Sequence, residues 1–147
     1  MTGSKDFFKE GGTSLGTFYP THYIVAGYHN LADAEAAAAS FQKGGFAEED
    51  VRVFDGRYAI EQLEAREGAN WLQKMEQQLV KFAGTETGYV QEDAELARSG
   101  GAFLFVYAPD DESLDEARRV FAQHGPAYAR RYLNIAIEII VRNPNAP

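Results

Sequence analysis

The chain of 147 residues is 45% apolar, rich in Phe and Tyr, and carries 22 acidic against 14 basic side chains for a net charge of −8. That length suits one domain burying about two-thirds of its unfolded surface without a disulfide or metal staple. The absence of cysteine excludes thiol redox chemistry and Cys-ligated metals and fits a cytoplasmic setting, while the negative field opposes phosphate backbones and anionic membranes.

Residues 1–20 are rich in Gly, Ser and Thr and show no sustained period. They read as a flexible arm able to dock through Phe7, Phe8, Phe18 and Tyr19. Nothing behind Met1 matches the apolar run of roughly 7–15 residues that a signal peptide needs. The longest apolar stretch, residues 102–108, falls far short of the roughly 20 residues of a membrane span. The expectation is a protein neither exported by that route nor anchored. A domain over 21–142 follows, and then a tail over 143–147, where Pro144 and Pro147 lack the donor a strand needs.

The most informative feature is an internal repeat. Tyr23-Ile24-Val25-Ala26 is matched 80 residues later by Phe103-Leu104-Phe105-Val106, and at that offset Asn30 matches Asp110, Ala37 matches Ala117, Phe41 matches Phe121 and Gly45 matches Gly125. Each unit reads as strand, helix cap, helix, glycine stop. Asn30 and Asp110 suit N-caps, whose side-chain oxygens accept the free amides of a first turn. Gly45 and Gly125 suit left-handed helix ends. Leu31, Ala34, Ala37, Ala38 and Phe41 share a 3.6-residue period, as do Leu114, Ala117, Val120 and Phe121.

Helices are therefore predicted over 31–43 and 112–124, and strands over 22–28, 51–55, 102–108 and 128–140. Two βαβ units most simply give an α+β, ferredoxin-like double βαβ sandwich, with a four-stranded antiparallel sheet and two helices on one face. The expected spatial order is 128–140, 22–28, 102–108, 51–55. A helical insert over 57–99 stands outside that plan. In it Trp71, Leu72, Met75, Leu79 and Phe82 recur at helical spacing, and a short helix from Tyr89 to Ala97 ends at Gly100-Gly101.

Three stretches carry a resemblance: Tyr23-Ile-Val-Ala-Gly-Tyr, Gly44-Gly-Phe-Ala-Glu-Glu-Asp-Val-Arg-Val-Phe, and Gly100-Gly-Ala-Phe-Leu-Phe-Val-Tyr. With the Ala-rich helix and His124-Gly125, they make residues 22–140 resemble a family of small bacterial general stress proteins. The resemblance implies the ferredoxin-like fold. It implies no catalytic residues, and the arm lies outside it.

Candidate sites are few. His29, Asp55 and His124 end elements that meet at one sheet edge in the expected fold, where they would bind a ligand or metal or move a proton. No HxH or HExxH spacing supports them, and loop histidines are usually just solvated. Trp71, on the insert, joins them in the candidate ligand-binding set, for a pocket between insert and sheet. Tyr23, Phe103 and Phe105 alternate onto one sheet face, and Ile135, Ile137 and Ile139 lie on a long apolar edge, so these six are the candidate interface. The clusters Arg118-Arg119 and Arg130-Arg131 read as solvated faces. The glycine pairs match no phosphate-binding fingerprint and read as turns. No serine sits in a G-x-S-x-G elbow.

The sequence thus predicts a non-enzymatic protein acting through a protein partner or as a homodimer, without cofactor, metal, nucleic acid or membrane. A small-ligand binding or sensing domain is the alternative.

Overall fold

A computed structural model describes residues 9–10, 13–14, 17–18, 20–57, 87–134 and 136–142. Trp71, Ile135 and most of the expected insert lie outside the described residues. So does the apolar stripe expected around Trp71. The described chain is mixed α+β, with an open antiparallel sheet of five strands and three α-helices.

Two short strands, β1 (Thr13–Ser14) and β2 (Thr17–Phe18), pair with each other. β3 (Tyr23–Tyr28) leads into α1 (Leu31–Lys43), and β4 (Val51–Asp55) follows a single 3-10 turn. α2 (Thr87–Arg98) precedes β5 (Ala102–Tyr107), then α3 (Asp111–Gln123), β6 (Tyr128–Tyr132) and β7 (Ile137–Val141). The sheet order is β4-β5-β3-β6-β7, and β3 runs antiparallel to both β5 and β6. The four expected strand positions therefore take the expected order. Among the described residues no helix is long and apolar enough to cross a membrane.

Local signals account for the helix starts. The Asn30 Oδ1 accepts from the Asp33 amide at 2.8 Å. The Asp110 Oδ1 accepts from the Ser113 amide at 2.8 Å within a capping box. Each satisfies an amide the first helical turn leaves without an intrahelical partner. The ends differ. Gly45 takes the left-handed conformation (φ 108°), but Gly125 does not, because Pro126 follows it and favours extended backbone in the preceding residue. α3 instead ends at His124, whose carbonyl accepts the Tyr28 hydroxyl at 2.6 Å.

Two expectations need correction. The four-stranded sheet has a fifth strand, because the segment 128–140 is not continuous. It turns back at Leu133, whose amide donates to the Ala136 carbonyl at 2.8 Å, with Asn134 supplying turn chemistry. The outer edge is thus β7 alone, and its pairing slips between Ala129 and Arg130. A bulge of this kind twists an edge away from further pairing. The basic pair Arg130-Arg131, expected as a solvated face, is buried at 1% and 6% exposure.

The main core lies between α1, α3 and one sheet face, where Ile24, Ala26, Leu104 and Val106 meet Ala34, Ala37, Phe41, Ala117, Val120 and Phe121. Phe41 stands edge-on to Phe46 and Phe121, with ring centres 5.1 and 5.6 Å away. The opposite face carries a second cluster of Tyr23, Val25, Phe105 and Tyr132.

α2 closes on one end of that second face through Leu96 and Ala97, both buried. Gly27 makes the approach possible. A Cβ there would stand 2.6 Å from Leu96 Cδ2 and 2.6 Å from Tyr128 Cζ. Gly101, expected as a turn, likewise makes room, since a Cβ would meet Leu96 Cγ at 2.6 Å and the Tyr28 carbonyl oxygen at 2.7 Å. Gly27→Ala should therefore cost about 1–3 kcal/mol by overpacking, measured as a shift in the urea midpoint at unchanged slope.

Candidate functional site

Alternation along β6 directs Tyr128, Arg130 and Tyr132 to the second face, opposite Gly27 and Val25 of β3. Arg130 is the largest fully buried side chain among the described residues. A buried guanidinium is tolerated only when paired and hydrogen-bonded, and α2 supplies the pairing. Asp93 meets the Arg130 Nη2 directly, and Glu92 Oε1 lies 3.8 Å from the same nitrogen. Nη1 donates to the Tyr132 hydroxyl at 2.8 Å. The guanidinium carbon stands 4.7 Å from the Tyr128 ring centre, a cation–π geometry. The Tyr128 hydroxyl donates to Asp93 Oδ1 at 2.5 Å.

Burial alone would pull the Arg130 pKa down, but the Asp93 charge and the flanking tyrosines outweigh it and hold it above its ordinary value. Burial, followed by the Asp93 charge, pushes Tyr128 up, so its hydroxyl stays a donor. Arg130 thus stays a cation and Tyr128 a neutral phenol, and both meet Asp93 to clamp α2 onto the sheet.

Beside the clamp lies an open groove of about 610 Å³. α2 contributes Glu92, Glu95 and Leu96 to one wall, while Tyr128, Val141, Arg142 and His29 come from the sheet and its ends. Glu92 and Tyr128 belong to both clamp and groove, so the ion pair sets the position of the wall.

Of the sequence-predicted ligand set, His29, Asp55 and His124 lie at one end of the sheet, where Tyr28 and Asp55 both pair with Ala102 and Tyr28 bonds the His124 carbonyl, but they line no common groove. His29 lines this groove. His124 lines a second one of about 550 Å³ with Ser40, Lys43 and Arg119. Asp55 lines neither of these grooves. It accepts from the Arg57 amide at 3.1 Å on edge strand β4, separated from β3 by β5, which places the two backbones about 10 Å apart. Among the described residues, no group of three His, Asp or Glu is placed to hold a metal.

The interface set is largely covered within the chain. Tyr23 and Phe105 are buried, and Phe103, Ile137 and Ile139 are half-buried. α2 covers one end of the face, and Lys9 and Glu10 reach the other. The Lys9 amide donates to the Tyr23 hydroxyl at 3.2 Å, and Lys9 Nζ lies 5.1 Å from the Tyr107 ring centre. Glu10 accepts from the Tyr107 hydroxyl and bonds His22 Nδ1 at 2.8 Å. The bond to Glu10, helped by burial, pushes Tyr107 up to about 12. Among the described residues Phe54 is the large apolar side chain left exposed, at 37%, with its ring centre 5.6 Å from that of Phe105.

Sequence reasoning missed Arg130, Asp93, Glu92 and Glu95. The usable signal was Tyr-x-Arg-x-Tyr over 128–132, which alternates one cation between two rings on one face. Comparison with known proteins finds no matching family model, no matching curated protein and no matching solved structure.

Proposed function

We propose that this chain is a non-enzymatic small-ligand binding domain whose site is the groove between α2 and the β6–β7 end of the sheet. The observation that carries the reading is the groove itself. Its volume, about 610 Å³, falls in the range of small-molecule sites, and one wall is pinned by the buried Arg130–Asp93 pair. A site preorganised in this way spends little binding energy on ordering its own walls. α2 falls within the segment read as an insert, which supports reading the groove as the pocket expected between insert and sheet.

The finer assignment to the ferredoxin-like arrangement, and kinship with the general stress proteins, are part of the same proposal. In their favour are the order of β4, β5, β3 and β6, the packing of α1 and α3 on one core, and the three quoted sequence stretches.

Native mass spectrometry of protein from its own host tests the binding role. The wild-type chain should retain a small-molecule mass. Ala127→Phe, which fills the groove lining, should lose that mass while keeping its melting temperature within a few degrees. A wild-type chain that carries no small molecule and runs as a homodimer would favour the second reading, association with a protein partner or a second copy. Phe54, exposed on edge strand β4, is the observation on that side.

A further inference from the structure

The walls of the groove differ in charge, and we infer that its ligand is a small zwitterion, with an ammonium and a carboxylate on one apolar frame. This inference rests on the groove being the binding site. One wall is acidic: Glu92 and Glu95 stand three residues apart on α2 and so share a helix face. The other wall carries Arg142, just past β7, with His29 just past β3. Leu96, largely buried on the α2 wall, and Val141, half-buried on the sheet side, add apolar lining.

Glu92 lies 3.8 Å from the buried Arg130, which compensates part of its charge. Glu95 is therefore the acceptor for a ligand ammonium. No ion pair joins Glu95 to Arg142 among the described residues, so the two charges line one groove without neutralising each other. A simple anion would enter against a net charge of −8 and would leave Glu95 unanswered. A simple amine would satisfy Glu95 but leave the Arg142 guanidinium without a counter-charge. A molecule carrying both groups answers both walls, and an aliphatic or aromatic side chain would cover Leu96 and Val141.

The test titrates the full chain with L-leucine, with isoamylamine (leucine without its carboxylate) and with 4-methylpentanoate (leucine without its ammonium), and repeats it with L-phenylalanine. Binding is followed by chemical shifts of groove amides. At least one of the two amino acids should bind about tenfold or more tighter than either half-molecule, as expected for two charge-assisted contacts against one. Glu95→Gln should weaken the amino acid about tenfold and leave 4-methylpentanoate unchanged, and Arg142→Gln should weaken it similarly and leave isoamylamine unchanged. Both side chains are exposed, so the fold should tolerate the changes.

Equal binding of isoamylamine and L-leucine would overturn the inference, as would silence of the groove amides with both amino acids at millimolar concentration. A host-derived molecule lost in Ala127→Phe but lacking one of the two charges would also overturn it, while leaving the binding role intact. A groove that holds nothing in either experiment would sink both.

Discussion

Arg130→Ala should lower the free energy of unfolding by about 3–5 kcal/mol, the usual cost of removing one member of a buried ion pair. The Arg130 side chain is 1% exposed and that of Asp93 is 17% exposed, so Asp93 regains some water and the lower end of the range is the better expectation. The loss has three sources: the Asp93 pair, the bond to the Tyr132 hydroxyl and the cation over the Tyr128 ring. Urea denaturation followed by far-UV circular dichroism reads the change. A loss below about 1 kcal/mol would show that the clamp contributes no more than a surface ion pair. Replacing both partners, as in Arg130→Met with Asp93→Leu, should recover much of the stability, because neither charge is then left buried alone. The same double variant should perturb the groove, since the wall carrying Glu92 would lose its fixed anchor.

Phe41→Ala should cost about 3–5 kcal/mol by a different route, loss of buried area plus a cavity that the surroundings fill only in part. Phe41 is fully buried and stands edge-on to both Phe46 and Phe121. Such ring pairs add about 0.5–1.5 kcal/mol beyond burial alone. Neighbouring Ala34, Ala37 and Ala38 are too short to collapse into the space, which favours the upper end. Thermal and urea unfolding measure the loss. Because Phe41 and Arg130 share no partner and lie on opposite sheet faces, the two losses should add to within about 0.5 kcal/mol. A larger departure would mean that the two faces are energetically coupled through the sheet.

The groove was legible only in outline. The segment between β4 and β5 does not fit the repeat, which suggests a pocket between insert and sheet, whereas the end of β3 puts His29 only at a sheet edge with Asp55 and His124. The carboxylates were not legible, because Glu92, Asp93 and Glu95 look like ordinary solvated helix residues until the burial of Arg130 is known. Asp55 and His124 are grouped with His29 from the ends of two strands and a helix, a criterion blind to the width of the intervening strand β5 and to the two separate grooves.

By itself the sequence determined what depends on neighbours within about four residues or on the period of one element. The caps at Asn30 and Asp110, the apolar faces of α1 and α3, and the alternation of β3 and β5 belong to this class. Tertiary structure decided what requires contacts between distant segments. Arg130 meets Asp93 across 37 positions of chain, Tyr28 reaches the His124 carbonyl across 96, and Gly27 is needed only because Leu96 and Tyr128 converge on it. The turn at Leu133 belongs here too. An unbroken apolar strand and a hairpin share one residue pattern, and the return of β7 against β6 buries apolar surface that a straight strand would leave at the edge.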